Sequence, residues 1–234
     1  MQREITIEES FLFKDHAVNP EKEGALNGFV VVRDENGEIL VAKKNLVVRS
    51  GRSISLRKIF GIADTAQGET TSVLNQKTVL LFGIGSGGAP ASDPFNPTPP
   101  TPSDTYLSNH VPFRSSTVAL PLTTTEEAKY ADPRVTNGTT FWYKKLFSNG
   151  LGEFVVDSAN DRVYNKLQLQ ITDKEARDTF INEISLFYTQ YSPSGLTQEL
   201  KYTNHTLFSR FTFQTEPLPS NTNKALNIDY YVYL

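Results

Sequence analysis

The sequence predicts a mainly β protein: an antiparallel β-sandwich or barrel-like domain with one short helix and a long proline-rich loop. Three observations carry that expectation. Several segments alternate apolar and polar residues with a period of two, which puts one side of a strand in a core and the other against water or a partner. Turn-forming Asn-Gly and glycine-rich stretches separate them. Aromatic residues, at 11% of the chain, favour pleated and half-buried surfaces over helices.

The first element is a hairpin. Residues 28–33 and 38–42 are rich in valine, leucine and isoleucine and flank Asp34-Glu35-Asn36-Gly37, where Asn36 and Gly37 both tolerate positive φ. The second arm continues through Asn45-Leu46-Val47-Val48. A short helix opens at Ser50-Gly51-Arg52-Ser53. Ile54, Leu56, Ile59 and Phe60 give it an apolar face, Arg52, Arg57 and Lys58 fall on its wetter sides, and Gly61 closes it. Residues 62–76 are small and polar and read as a loop or insertion. Thr78-Val79-Leu80-Leu81-Phe82 is an apolar run too short for a helix, hence a buried strand that Gly83 releases into a turn.

Gly83, Gly85, Gly87 and Gly88 then lead into six of the 13 prolines: Pro90, Pro94, Pro97, Pro99, Pro100 and Pro102. Proline fixes φ, lacks a donor and steers the preceding residue away from the α region. Residues 83–112 therefore form an extended connector or arm that crosses a folded surface or reaches a neighbour.

Beyond it the chain is strongly β. Residues 140–147 and 153–156 flank Asn149-Gly150-Leu151-Gly152 and read as a second hairpin. Val163, Leu167, Leu169 and Ile171 alternate with polar residues, with Asn165 intruding on their face, Phe180 to Tyr188 is apolar, and Leu207, Ser209, Phe211 and Phe213 alternate again. In the last strand Leu226, Ile228, Tyr230, Val232 and Leu234 share one face, and Asn227, Asp229, Tyr231 and Tyr233 the other. Residues 1–234 read as a single domain.

Composition removes functions. With 23 Lys+Arg against 26 Asp+Glu the net charge is -3, without the basic excess of a protein that grips phosphates, so no specific nucleic acid is expected. No apolar run approaches the roughly 18 residues that span a bilayer, and residues 1–9 lack a signal-peptide core. The absence of cysteine excludes disulfides, thiolate metal sites and cysteine nucleophiles.

The candidate chemical motifs have simpler readings. Gly83-Ile84-Gly85-Ser86-Gly87-Gly88 matches G-x-G-x-x-G with Asp104 about twenty residues on, but the dinucleotide fingerprint needs a following helix, and Pro90 and Pro94 forbid one. His16, His110 and His205 show no metal-binding spacing, and His110 near Ser108 and Asp104 is a chance triad. Glu126 with Glu127, Asp173 with Glu175, and Asp178 with Glu183 are formally possible glycosidase pairs on a solvated surface. Asp34-Glu35-Asn36-Gly37 lacks the rest of a calcium loop. Asn137-Gly138-Thr139 and Asn204-His205-Thr206 are formal glycosylation sequons. The aromatic runs at Phe141-Trp142-Tyr143 and Tyr230-Tyr231-Val232-Tyr233 divide between core packing and exposed platforms for a protein or, at Trp142, a sugar. Catalytic residues, cofactors and metals are expected to be absent.

Four segments in fixed order carry a resemblance: Asn45-Leu46-Val47-Val48-Arg49-Ser50-Gly51-Arg52; Phe82-Gly83-Ile84-Gly85 with Asp104-Thr105-Tyr106-Leu107; Ile181-Asn182-Glu183-Ile184-Ser185-Leu186-Phe187; and Phe208-Ser209-Arg210-Phe211-Thr212-Phe213. In these the chain resembles a loose family of tailed-bacteriophage virion proteins from tail, neck, baseplate and fibre-attachment genes. The resemblance spans about residues 28–60, 79–107 and 180–234. It departs at Ser185, where the family has glycine, and in a longer proline-rich insert. It implies a β-rich assembly protein of the virion, built in the bacterial host cytoplasm, whose partners are other virion proteins and copies of itself in a symmetric homo-oligomer. The alternative is a carbohydrate-binding β-sandwich module of a phage receptor-binding apparatus. The expected subunit interface is Pro94, Phe95, Pro97, Pro99, Pro100, Pro102, Tyr106, Tyr231 and Tyr233. Deletion of residues 90–102 is expected to leave a folded monomer that no longer joins particles.

Overall fold

The computed structural model describes residues 27–158, 162–172, 174–195, 197–219 and 222–233. The N-terminal stretch, His16, Asp173 and Leu234 lie outside them. Twelve strands occur among the described residues: β1 (Asn27–Arg33), β2 (Ile39–Val47), β3 (Lys77–Gly85), β4 (His110–Val111), β5 (Arg114–Ser116), β6 (Tyr130–Thr136), β7 (Thr139–Leu146), β8 (Glu153–Asp157), β9 (Arg162–Thr172), β10 (Thr179–Tyr191), β11 (Tyr202–Leu218) and β12 (Ala225–Tyr233). Helices α1 (Arg49–Phe60), α2 (Thr71–Gln76), α3 (Thr124–Glu127) and α4 (Gln198–Lys201) lie between them. All strand pairs are antiparallel. They run in the order β5-β7-β3-β10-β11-β2-β1-β12-β9-β8 and curl into a half-barrel, with β4 added to β3 and β6 to β7. The fold is thus of the mainly β, barrel-like class the periodicity predicts.

Two halves of this sheet meet at a short seam, where β2 and β11 pair only at Val47 with Ser209 and Leu46 with Arg210. Side chains reinforce it. The Tyr230 hydroxyl, fully buried, takes a hydrogen bond from the Asn45 amide and shares another with the Ser209 hydroxyl. The inner faces of both halves form one core, in which Val30, Val32, Leu169, Ile171, Ile228 and Tyr230 meet Phe82, Ile84, Ile184, Leu186, Phe211 and Phe213. Strand β10 is buried from Ile181 to Thr189, including the polar Asn182, Glu183, Ser185 and Thr189, as befits a central strand covered on both faces.

Four expectations are corrected. Helix α1 ends at Gly61 as read, with the Gly61 and Ile62 amides bonded back to Lys58 and Arg57 carbonyls. Of its apolar residues, however, only Ile54 reaches the core: Gly51 is the other buried position, and Leu56, Ile59 and Phe60 are exposed. The basic side turns inward instead, Arg57 pairing with Glu69 and the Lys58 ammonium donating to the Lys77 carbonyl.

The hairpin expected around Asn149-Gly150 does not form. Strand β8 pairs with β9, and the turn carries the chain from one half-sheet to the other. Asn149 is there to bond β9: its amide donates to the Lys166 carbonyl at 3.0 Å and its oxygen accepts the Gln168 N–H at 2.9 Å. The true hairpin joins β6 to β7 through Asn137 and Gly138, both at positive φ (50° and 73°), the geometry of a two-residue type I′ turn. At the first hairpin only Gly37 takes positive φ, and the Asp34 carboxylate closes the loop by accepting the Asn36 and Glu38 N–H groups. Finally, residues 62–76 are no plain loop, since they hold a 3₁₀ turn (Thr65–Gln67) and α2, which Thr70 caps.

Candidate interaction surface

The four resembling segments, distant in sequence, converge on the outer face of β10 and β11. At the centre is Glu183, fully buried, beside the buried Arg210. Arg210 donates to Glu183 Oε2 from Nε (3.0 Å) and Nη2 (2.6 Å), to Asp104 Oδ2 from Nη1 (2.8 Å), and to the Ser108 hydroxyl. Backbone N–H groups complete the shell: Gly87 and Asn109 donate to Glu183 Oε1 and Ser108 to Oε2. Five donors thus saturate one carboxylate, as a buried charge requires. Partial burial works to raise the Asp104 carboxyl, but bonds from Thr101 and the Arg210 guanidinium outweigh it and hold it below its ordinary value.

This knot explains the glycines. Gly83 and Gly85 do not release the chain into a turn; both lie within β3. A Cβ on Gly85 would sit 2.4 Å from Glu183 Oε1, and one on Gly88 would sit 2.3 Å from the Asn182 backbone oxygen. Gly88 N–H instead donates to Asn182 Oδ1 at 2.6 Å. The N–H cradle that a G-x-G offers to phosphate is filled by the protein's own carboxylate, so the dinucleotide fingerprint has no vacant anion site here.

The connector crosses the folded surface. Its prolines donate nothing, but its carbonyls accept: Pro94 from Thr215 N–H, Thr98 from the Thr212 hydroxyl, and Pro102 from Arg49 N–H at the start of α1. Leu107 anchors its far end in a small core with Val48, Phe187 and Leu207. Deleting 90–102 would therefore strip these partners from β11 and α1.

What the connector shows to solvent is narrower than its composition. Phe95 and Tyr106 are 73% and 65% exposed, Pro99 and Pro102 are exposed, and Pro94, Pro97 and Pro100 are half-buried. Tyr231 must be withdrawn from the expected interface. It is 2% exposed, packed with Phe29 and Val31, with Lys166 over its ring. Tyr233 is half-buried beside the same cluster. The connector and the terminal strand therefore do not form one aromatic surface.

The remaining candidate groups have structural partners. Glu126 closes a capping box on α3 with Thr123. Glu175 is buried, accepting from the Tyr130 hydroxyl (2.5 Å) and Lys145 (2.8 Å). Asp178 and Glu183 are separated by about 16 Å of extended chain. Asp104 and Ser108 bind Arg210, not His110, whose ring stands edge-on to Tyr143. His205 shares a hydrogen bond with the Thr189 hydroxyl, and burial, aided by Lys144, lowers its pKa to about 4. Trp142 is buried and offers no sugar platform. Among the described residues no three metal-ligating side chains cluster, and no helix is long and apolar enough to cross a membrane. No protein-family model matches the chain, and no curated protein matches it significantly.

Proposed function

We propose that this chain is a structural component of a tailed-bacteriophage virion, in its tail, neck or baseplate region, that assembles through protein–protein contacts and performs no catalysis. One observation supports the reading above others. Three of the four segments that carry the resemblance supply the Glu183–Arg210–Asp104 knot or pack against it, and the fourth pairs Leu46 with Arg210 along the backbone and fastens the connector through the Arg49 N–H. Their shared role is architectural, and it holds Phe95 and Tyr106 out toward solvent. Exposed aromatics on a rigid backbone suit a subunit contact. The test is mass spectrometry of purified particles carrying the double variant Phe95→Ser/Tyr106→Ser. Incorporation should fall while the thermal midpoint stays unchanged; undiminished incorporation removes this surface from the assembly.

The carbohydrate-binding alternative has a specific observation of its own. A groove of about 510 Å³ is lined by Tyr191 and Tyr202, whose rings stack at 5.4 Å, with Asn75, Gln76 and Thr78 beside them. Aromatic faces and neutral amides match the chemistry of a sugar ring. A glycan bound on an array and lost in Tyr191→Ala supports this reading; silence across the array dismisses it.

A further inference from the structure

A second groove, of about 630 Å³, lies between the segment 112–122 and the β9–β10 turn. Its walls are tied together: Ala176 N–H donates to the Phe113 carbonyl at 2.9 Å, and Arg114 reaches the Lys174 carbonyl. The groove is preformed, not a gap between independent loops. Apolar lining comes from Leu120, Leu122 and Phe141, and the rest includes Arg114, Lys174 and Arg177. Among the described residues no acidic side chain lines it.

The charge sorting follows from the turn. Ala176 and Asp178 take positive φ (49° and 54°), which tightens the chain and sends Glu175 inward to Tyr130 and Lys145. Lys174 and Arg177 stay outside, exposed, and pair with no carboxylate among the described residues. Arg114 meets one carboxylate among the described residues, Glu126, at 3.6 Å. Across the groove the loop closes on itself through Thr117 and Leu120, and presents Val118 (97% exposed) and Leu120 at its rim. On a chain of net charge -3, three cations around an apolar trough form a local field of the opposite sign.

We infer that this groove binds an acidic peptide segment of a partner protein, with an aliphatic side chain of that segment in the trough and its carboxylates on Arg114, Lys174 and Arg177. A nucleic-acid backbone would meet the cations but leave Leu120 and Leu122 without a counterpart, whereas a peptide of glutamates and leucines satisfies both. The inference rests on the assembly reading only in taking the partner to be a protein.

The test is fluorescence anisotropy with a labelled peptide of alternating glutamate and leucine, beside its lysine–leucine and glutamate–serine counterparts. The glutamate–leucine peptide should bind saturably, weaken with added salt, and outcompete both others. Lys174→Glu/Arg177→Glu should weaken it about ten-fold or more with an unchanged thermal midpoint, and the exposed-site variant Leu120→Ser should weaken it too. No saturable binding up to millimolar peptide, equal binding of the lysine peptide, or indifference to charge reversal overturns the inference. Equal binding of the glutamate–serine peptide overturns its apolar half. Peptide binding and particle incorporation are separate measurements, so either reading can fail alone.

Discussion

Glu183 accepts from five donors, and its energetics set the consequences of changing its partners. Arg210→Leu leaves that carboxylate buried without its counter-charge, held only by the Gly87, Ser108 and Asn109 N–H groups, so chemical denaturation should show a loss of about 3–5 kcal/mol. Ser185 works in the opposite sense. It stands where the resembled family has glycine, and its buried hydroxyl has no hydrogen-bond partner among the described residues. Ser185→Ala should therefore raise stability by about 1 kcal/mol, a thermal shift of about 2–4 °C. His205 gives a pH test. Its folded pKa of about 4 lies below the ordinary 6.5, so between these values the unfolded chain binds the proton that the folded chain refuses. Stability contributed by neutral His205 is complete above pH 6.5 and is lost as the pH falls toward 4. His205→Gln should flatten that segment of the stability curve. Asp132 and Glu69, both held at about 2 by cationic neighbours, should still produce a further loss below about pH 4.

The strands were readable because a period of two survives wherever one face is wet, as in β12, where Leu226, Ile228 and Tyr230 are buried and Asn227 and Asp229 are not. Local signals failed where a tertiary partner overrode them. Asn149-Gly150 looks like a hairpin turn, but the Asn149 side chain is used by β9; Asn137-Gly138, a formal sequon, makes the hairpin instead. The α1 periodicity correctly gave a helix and its stop. It could not say which side faces inward, because Glu69 and the Lys77 carbonyl, which draw Arg57 and Lys58 in, lie far along the chain. The connector's extended character followed from proline, but its docking did not, since the acceptors are backbone carbonyls that any residue carries. Of the candidate surface, Phe95 and Tyr106 were legible as exposed aromatics; the Glu183 knot was not, because an ion triad formed from positions 104, 183 and 210 leaves no local spacing. Leu107→Ala should test the docking. It opens a cavity against Val48, Phe187 and Leu207, and about 2–5 kcal/mol of stability should go with it. Limited proteolysis should then cut within residues 89–106 faster than in the parent chain.

Across the molecule, charge and buried polar groups are committed to holding a curled sheet and the segment laid across it, while several apolar side chains are left outside. Leu56, Ile59 and Phe60 on α1, Phe95 and Tyr106 on the connector, and Val118 and Leu120 at the groove rim are all exposed. Exposed apolar groups of this kind mark contact surfaces when they gather on one element, as they do on α1. Sedimentation velocity should show concentration-dependent association, and Ile59→Ser/Phe60→Ser should return the chain to monomer without shifting its thermal midpoint. Whether the chain is a structural virion protein acting through its contacts can be decided by a cryo-EM reconstruction of purified tailed particles from a lysate that produces it. The half-barrel should occupy repeated, symmetry-related positions in the tail, neck or baseplate, with Phe95 and Tyr106 against a neighbouring subunit. A chain absent from purified particles, though present in the same lysate, would contradict it.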